Sequence, residues 1–180
     1  MKNWVILFVR AGAEEKVTRS LKERLNADEY LPFLPIKESP RRLRGVIYKK
    51  CALLFPGYVF VQTEIEEKKI AKHLKTTLKD IIWHRDIYSI LHYGTDKNDV
   101  ALHEKERRHW ECLLDAEFCL RGSVGIIVGN KIKVTSGPLV GLEGQIKKIN
   151  CHKREATVEL EMMGAPRPVK VMLEIISKIL

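Results

Sequence analysis

Apolar positions recur along this chain with two different periods. Residues 4–9, WVILFV, form an unbroken apolar run and read as a buried strand. In EEKVTRSLKERL, Val17, Leu21 and Leu25 stand four apart, one face of a helix. Residues 30–36, YLPFLPI, read as extended, because Pro32 and Pro35 do not fit a helix interior. KESPRRLRG, residues 37–45, reads as a basic loop punctuated by Pro and Gly. VIYKKCALLF and YVFVQT read as two strands meeting in a hairpin at Pro56–Gly57. EEKKIAKHLKTTL places Ile70, Leu74 and Leu78 four apart, a second helix, and IIWH and IYSILHY follow as short strands. This order predicts a ferredoxin-like α+β domain, an α/β sandwich over residues 1–102.

The pattern then changes. Residues 94–101 are polar and turn-rich, and from His103 to Phe118 a helical stripe carries Trp110, Leu113, Leu114 and Phe118. Residues 122–125 break the chain. KIKVT, EGQIKKIN, EATVELEM and VKVML are short alternating segments between Gly- and Pro-bearing turns, and the pattern turns helical again only at the last residues. That spacing predicts a small all-β barrel over residues 124–180, joined to the first domain by a helix and linker at 103–123.

Charge sharpens the picture. The 180 residues carry a net charge of +9. Residues 1–93 hold 18 Lys and Arg against 11 Asp and Glu, residues 94–123 hold 5 against 7, and residues 124–180 hold 9 against 5. The basic excess sits in both predicted domains and not in the connection, which favours two anionic surfaces, nucleic acid first among them; a merely solubilising surface is the plain competitor. The six-residue apolar run near the N-terminus is too short for a membrane span. Cys51, Cys112, Cys119 and Cys151 form no C-x-x-C pair, so neither a zinc knuckle nor a disulfide framework is expected, and a cytoplasmic setting fits.

Catalytic motifs are incomplete. HEKER, residues 103–107, carries Arg107 where a zinc-protease motif needs its second histidine. GIIVGNK, residues 125–131, lacks the phosphate-loop spacing and leads into a strand. No enzyme and no cofactor are expected.

Two stretches carry a family resemblance. GNKIKVTSGPLVGLEGQIKKI, residues 129–149, resembles the KOW motif: Gly137–Pro138 makes a turn, and Gly141 and Gly144 permit positive φ where the chain reverses. EATVELEMMGAPRPVKVML continues it, with Gly164 and Pro166 at the next turn. Together with FPGYVFV, residues 55–61, and the start NWVILFVRAG, the chain resembles the NusG family of transcription elongation factors over nearly its whole length. Its strong basicity in both domains resembles a specialised antiterminator paralog of the LoaP type. The resemblance implies an N-terminal NGN domain and a C-terminal KOW barrel of the SH3-like kind.

What the resemblance implies for function is binding. The NGN domain would set an aromatic concavity against the clamp helices of the RNA polymerase β′ subunit. Phe8, Phe55, Tyr58 and Phe60 fall at those positions, with Pro56 and Gly57 shaping the hairpin. Aromatics suit such a contact because they bury much area at small entropic cost. Ordinary core packing is the competing reading for two of the four, and Trp4 reads as core. Alternation puts Tyr58 and Phe60 on one face, exposed or buried together. Thr76 and Thr77 stand where the family reaches the β-subunit gate loop, although HLKTTLKDIIWHRDIYSIL departs from the family pattern there. Lys37, Arg41, Arg42 and Arg44 would face upstream DNA as phosphate contacts. Lys131, Lys133, Lys147, Lys148, Lys153, Arg154, Arg167 and Lys170 would grip a structured leader RNA by shape.

The expectation is therefore a monomeric, non-enzymatic processivity and antitermination factor without membrane attachment. The alternatives are a general elongation factor coupling to Rho or the ribosome, and a KOW-type RNA-binding or ribosome-associated protein. β-branched residues in VKVML and EATVEL argue against refolding of the C-terminal domain as helices.

Overall fold

The computed structural model describes residues 2–82 and 85–179, without the side chains of residues 79–82. Its elements run β1 (Asn3–Val9), α1 (Glu14–Arg24), β2 (Tyr30–Phe33), β3 (Ile36–Leu43), β4 (Val46–Leu53), β5 (Tyr58–Thr63), α2 (Glu67–Ile82), β6 (Ile87–Ile90), α3 (Glu104–Leu113), β7 (Cys119–Leu120), β8 (Ser123–Val128), β9 (Lys131–Ser136), a 3-10 turn (Glu143–Gln145), β10 (Ile146–Asn150), β11 (Glu155–Met162) and β12 (Ala165–Ile179). The fold is mixed α+β, as the two periods predict. The chain divides into two compact units: Met1–Pro35 with Phe55–Arg108, and Ile36–Leu54 with His109–Leu180.

The first unit is a four-stranded antiparallel sheet in the order β2-β5-β1-β6. Alternation along β1 sends Val5, Leu7 and Val9 to one face, where Val59 and Val61 of β5 join them. That face packs against Val17 and Leu21 of α1 and Ile70, Leu74 and Leu78 of α2, so both helices cover the same side of the sheet. The four-residue spacings read from sequence are the buried stripes of these helices.

The second unit holds a five-stranded sheet, β10-β11-β12-β8-β9, and a three-stranded sheet, β4-β3-β7. β12 pairs with β11 through its first half and runs parallel to β8 through its second. Ala156, Val158, Leu160 and Met162 of β11 are buried while alternate positions are not, the half-buried pattern of EATVELEM.

Several local expectations are corrected. The basic stretch at 37–45 is not a loop: residues 36–43 form β3 and pair with β4 along their whole length. Pro40 is tolerated because β7 reaches only Ile36 and Lys37, which leaves one side of β3 open farther out. Pro56–Gly57 is not a hairpin turn, since β4 pairs with β3 and β5 pairs with β1 and β2. The segment IIWH is not a strand: Ile81 and Ile82 end α2, and Trp83 and His84 lie outside the described residues. Helix α3 stops at Leu113, because the Asp115 carboxylate accepts the amides of Glu117 and Cys119 and Phe118 turns to φ +57°. The last residues are strand, held by β8. Gly137 and Gly141 have positive φ, but Gly144 sits in the 3-10 turn without it.

Candidate functional site

The face of the first sheet opposite the helices is aromatic. Trp4, Ile6 and Phe8 of β1 point there, and antiparallel register sets Phe60 beside Ile6 and Tyr58 beside Phe8. The face has two parts. At one end Phe60 is wholly buried in a ring cluster, with centroids 5.6 Å from Phe33, 6.3 Å from Phe55 and 6.4 Å from Trp4. At the other, Phe8 lies 5.5 Å from Tyr58 and 5.1 Å from Tyr88. Phe8 is 38% exposed, Tyr88 56% exposed and Tyr58 half-buried. A register shift beside Phe8 in the β1–β6 pairing brings the Tyr88 ring to it.

The expected contact set is thereby split. Phe55 and Phe60 are buried, and Tyr58 and Phe60 share a face without sharing exposure, because Trp4, Phe33 and Phe55 surround one and not the other. Trp4 is core, as read from sequence. Tyr88 was missed; its signal was an aromatic in the short segment IYSI, with nothing in the sequence to announce the register that brings it to Phe8.

The turn before β5 is pinned beneath this row. The Gly57 amide donates to the Glu14 carboxylate at 2.7 Å, and the Val9 amide donates to the Gly57 carbonyl at 2.8 Å. Gly57 has φ +86°, a backbone conformation that side-chain-bearing residues rarely adopt, so glycine suits the turn for its backbone, while a Cβ there would meet only ordinary contacts. At the rim Asp86 accepts from Lys16 at 2.8 Å and Arg10 at 2.7 Å. Hydrogen bonds from Lys16 and then Arg10 hold its carboxyl below the usual aspartate range. Thr76 and Thr77 lie on α2, across the sheet from the aromatic row; Thr76 is exposed and its hydroxyl donates to the Lys72 carbonyl.

The candidate cations separate into groups in the second unit. Arg41, Arg42 and Arg44 stand exposed toward the tip of the β3–β4 ribbon, with Lys49 and Lys50 on the return strand. Lys37 does not stand free: its ammonium donates to the Lys170 carbonyl at 2.7 Å, and burial lowers its pKa. Lys131 and Lys133 are exposed on β9, an edge strand. Lys148 and Lys170 flank Thr157 in one row across β10, β11 and β12. Lys147 pairs with Glu159 at 3.0 Å and Arg154 with Glu174 at 2.9 Å, which commits both. Lys153 and Arg154 close the β10–β11 turn, whereas Arg167 sits opposite Leu160 near the other end of β11, roughly 20 Å away along the strand. The strand lengths therefore do not gather these cations at one end.

Among the described residues no cluster of His, Cys, Asp or Glu is arranged to hold a metal, and no helix is long and apolar enough to cross a membrane. All four cysteines are free thiols.

Residues 2–110 match the family model described as transcription termination factor nusG. The chain is 24% identical to the transcription termination/antitermination protein NusG of Pasteurella multocida over 187 residues, covering 98% of this chain and 95% of that protein. It is 25% identical to the protein of the same name from Thermus thermophilus, covering 93% and 94%. With that of Pseudomonas aeruginosa it shares 24% identity, covering 99% of each.

Proposed function

We propose, from the premise that this chain belongs to the NusG family, that it is a transcription termination/antitermination factor which rides on RNA polymerase. The row of exposed Phe8 and Tyr88 with half-buried Tyr58 carries this reading. It lies on the sheet face opposite α1 and α2, beside a cluster of buried rings, and presents apolar area where a coiled-coil partner can cover it. The partner is the pair of β′ clamp helices, and Thr76 and Thr77 on the far side of the sheet are offered to the β gate loop. Residues 1–102 act as the NGN domain and residues 124–180 as the KOW domain.

The mechanism is conformational selection: a factor that binds one clamp state better than another shifts polymerase toward it and suppresses pausing. The exposed cations of the C-terminal unit, Lys131, Lys133, Lys148, Lys153, Arg167 and Lys170, hold structured leader RNA through its phosphates. The ribbon cations hold DNA behind the enzyme. This makes the protein a specialised antiterminator of the LoaP type, acting as a monomer in the cytoplasm.

The test is affinity for a clamp-helix fragment. Tyr58→Ala and Tyr88→Ala, folded by circular dichroism, are expected to weaken binding about tenfold or more each, as interface hot spots do. Unchanged affinity in folded variants contradicts the assignment. The names of the relatives favour a second reading, a general factor of the NusG kind. It predicts weak RNA binding with no preference for a hairpin over an unstructured strand.

A further inference from the structure

Beyond Glu38 the β3–β4 hairpin has no third strand among the described residues, because β7 stops opposite Lys37. Isolated two-stranded ribbons are marginal in water, and this one is held at its root. The Glu38 carboxylate, nearly buried, accepts the Gly122 amide at 2.7 Å and the Lys49 ammonium at 3.0 Å, with Arg121 at 3.6 Å. From Ser39 to Leu43 and back from Val46 to Lys50, each strand then extends about 17 Å.

Three features of the ribbon point to one ligand. Its tip is apolar: Leu43 and Val46 stand directly opposite each other, 62% and 67% exposed, and Tyr48, one step back on the same face, is 45% exposed. Its flanks are basic: between Ser39 and Lys50 there are five cations and no carboxylate. Its turn is unusual: Arg44 and Gly45 have φ +49° and +84°, the two positive angles of a type I′ hairpin turn. Glycine accepts that conformation freely, whereas an arginine there is strained and places a guanidinium at the extreme end.

We propose that this tip is a wedge for duplex DNA, entering the minor groove with Leu43 and Val46 pressed between neighbouring base pairs while Arg41, Arg42, Arg44 and Lys50 hold phosphates on either side and Lys49 stays on Glu38 at the root. The proposal deepens the reading of the ribbon as a nucleic-acid contact and rests on it. Apolar wedges delivered from the minor groove unstack a base step and kink the duplex, and arginines favour a narrow minor groove for its potential. The ribbon is longer than the groove is deep, about 7.5 Å, but two paired strands are wider than its roughly 6 Å opening, so entry requires the groove to widen, as it does when a wedge unstacks a step and bends the duplex. A-form RNA offers a wide, shallow minor groove with no slot for such a tip. An apolar tip ringed only by cations suits a polyanion with an apolar interior, which stacked bases provide.

The experiment uses the full chain and a 25-bp duplex DNA carrying a fluorescence donor and acceptor at its ends, with a duplex RNA of the same sequence as the parallel arm. The wild type should bind DNA with strong salt dependence, shorten the end-to-end distance, and be displaced by the minor-groove ligand netropsin. The Leu43→Ser/Val46→Ser variant should keep salt-dependent binding and lose the shortening. The Arg41→Glu/Arg42→Glu variant should lose affinity, with the log–log salt slope reduced by about two. All these positions are exposed, so melting temperatures should not move. DNA binding without shortening, or shortening retained in the tip variant, overturns the wedge and leaves the electrostatic reading intact. No DNA binding, or none lost on charge reversal, overturns the ribbon reading itself. Tip-dependent binding of the RNA duplex in preference to DNA, or tip-dependent loss of polymerase affinity instead, overturns the choice of DNA.

Discussion

Truncating the aromatics of the first sheet one at a time separates its buried end from its exposed end. Phe60 is fully buried and touches three rings, so Phe60→Ala leaves a cavity among Trp4, Phe33 and Phe55. Such deletions cost about 3–5 kcal/mol. Tyr88 keeps 56% of its surface in water, with its ring 5.1 Å from that of Phe8. Full burial of a large side chain is worth about 1.5–3 kcal/mol, so less than half of that, about 1 kcal/mol, is at stake in Tyr88→Ala. Phe8, at 38% exposure, falls between them. Urea unfolding followed by tryptophan fluorescence measures the costs, and titration against polymerase measures the affinities. The expected result is an inversion: Phe60→Ala loses the most stability, whereas Tyr88→Ala loses little stability and much affinity. If Tyr88→Ala destabilises as much as Phe60→Ala, the row is core and the surface reading is refuted. If both affinities are unchanged in folded protein, the row is not the contact.

Three further outcomes follow from the same geometry. Glu38→Ala orphans the Gly122 amide and releases Lys49 at the ribbon root, and should cost about 2–3 kcal/mol in urea unfolding, with faster hydrogen exchange along β3 and β4; unaltered exchange contradicts the anchoring. A Cβ at Gly137 would meet the Ser123 side chain at 2.6 Å with φ at +95°, so Gly137→Ala should destabilise by about 3 kcal/mol, while Gly144→Ala, in open space, should be close to neutral; equal effects contradict this. Asp86 is held low by Lys16 and Arg10; burial pushes Glu38 and Asp115 up, but hydrogen bonds from Gly122 and Lys49, and from Cys119 and Arg121, outweigh it. All three bind protons more weakly folded than unfolded, so their contribution is complete above the ordinary carboxylate range, about pH 4, and is lost as pH falls through the lower folded values. Urea midpoints at pH 7, 5 and 3 should drop mainly in the last interval, and a flat profile contradicts the assignment.

Much of this architecture was legible as period. The stripe at Val17 and Leu21, the stripe at Ile70, Leu74 and Leu78, and the alternation of EATVELEM are each visible in sequence because burial imposes them. The β3–β4 ribbon was not. Residues 41–44 face water on both sides, so no apolar alternation marks them, and Pro40 is a poor strand former taken alone. Pairing with β4 and the Glu38 anchor make the strand, and both are tertiary facts. The Pro56–Gly57 stretch misled for a related reason: a tight turn between two strands looks like a hairpin whether the strands pair with each other or with different neighbours. Tyr88 and Phe8 are eighty residues apart in sequence, and only the β1–β6 register joins them. Lys147, Arg154 and Lys37 look like free cations in sequence, but Glu159, Glu174 and the Lys170 carbonyl claim them.

The central claim, a polymerase-borne antiterminator guided by leader RNA, is tested most directly by single-round transcription in vitro. The template carries a structured leader followed by an intrinsic terminator, with a matched template whose leader is unstructured. The wild type should raise read-through only behind the structured leader. The Tyr58→Ala/Tyr88→Ala variant should abolish the effect, and Lys131→Glu/Lys133→Glu should abolish it without loss of clamp-helix binding. Equal read-through on both templates, or read-through that survives loss of the aromatic row, contradicts that claim.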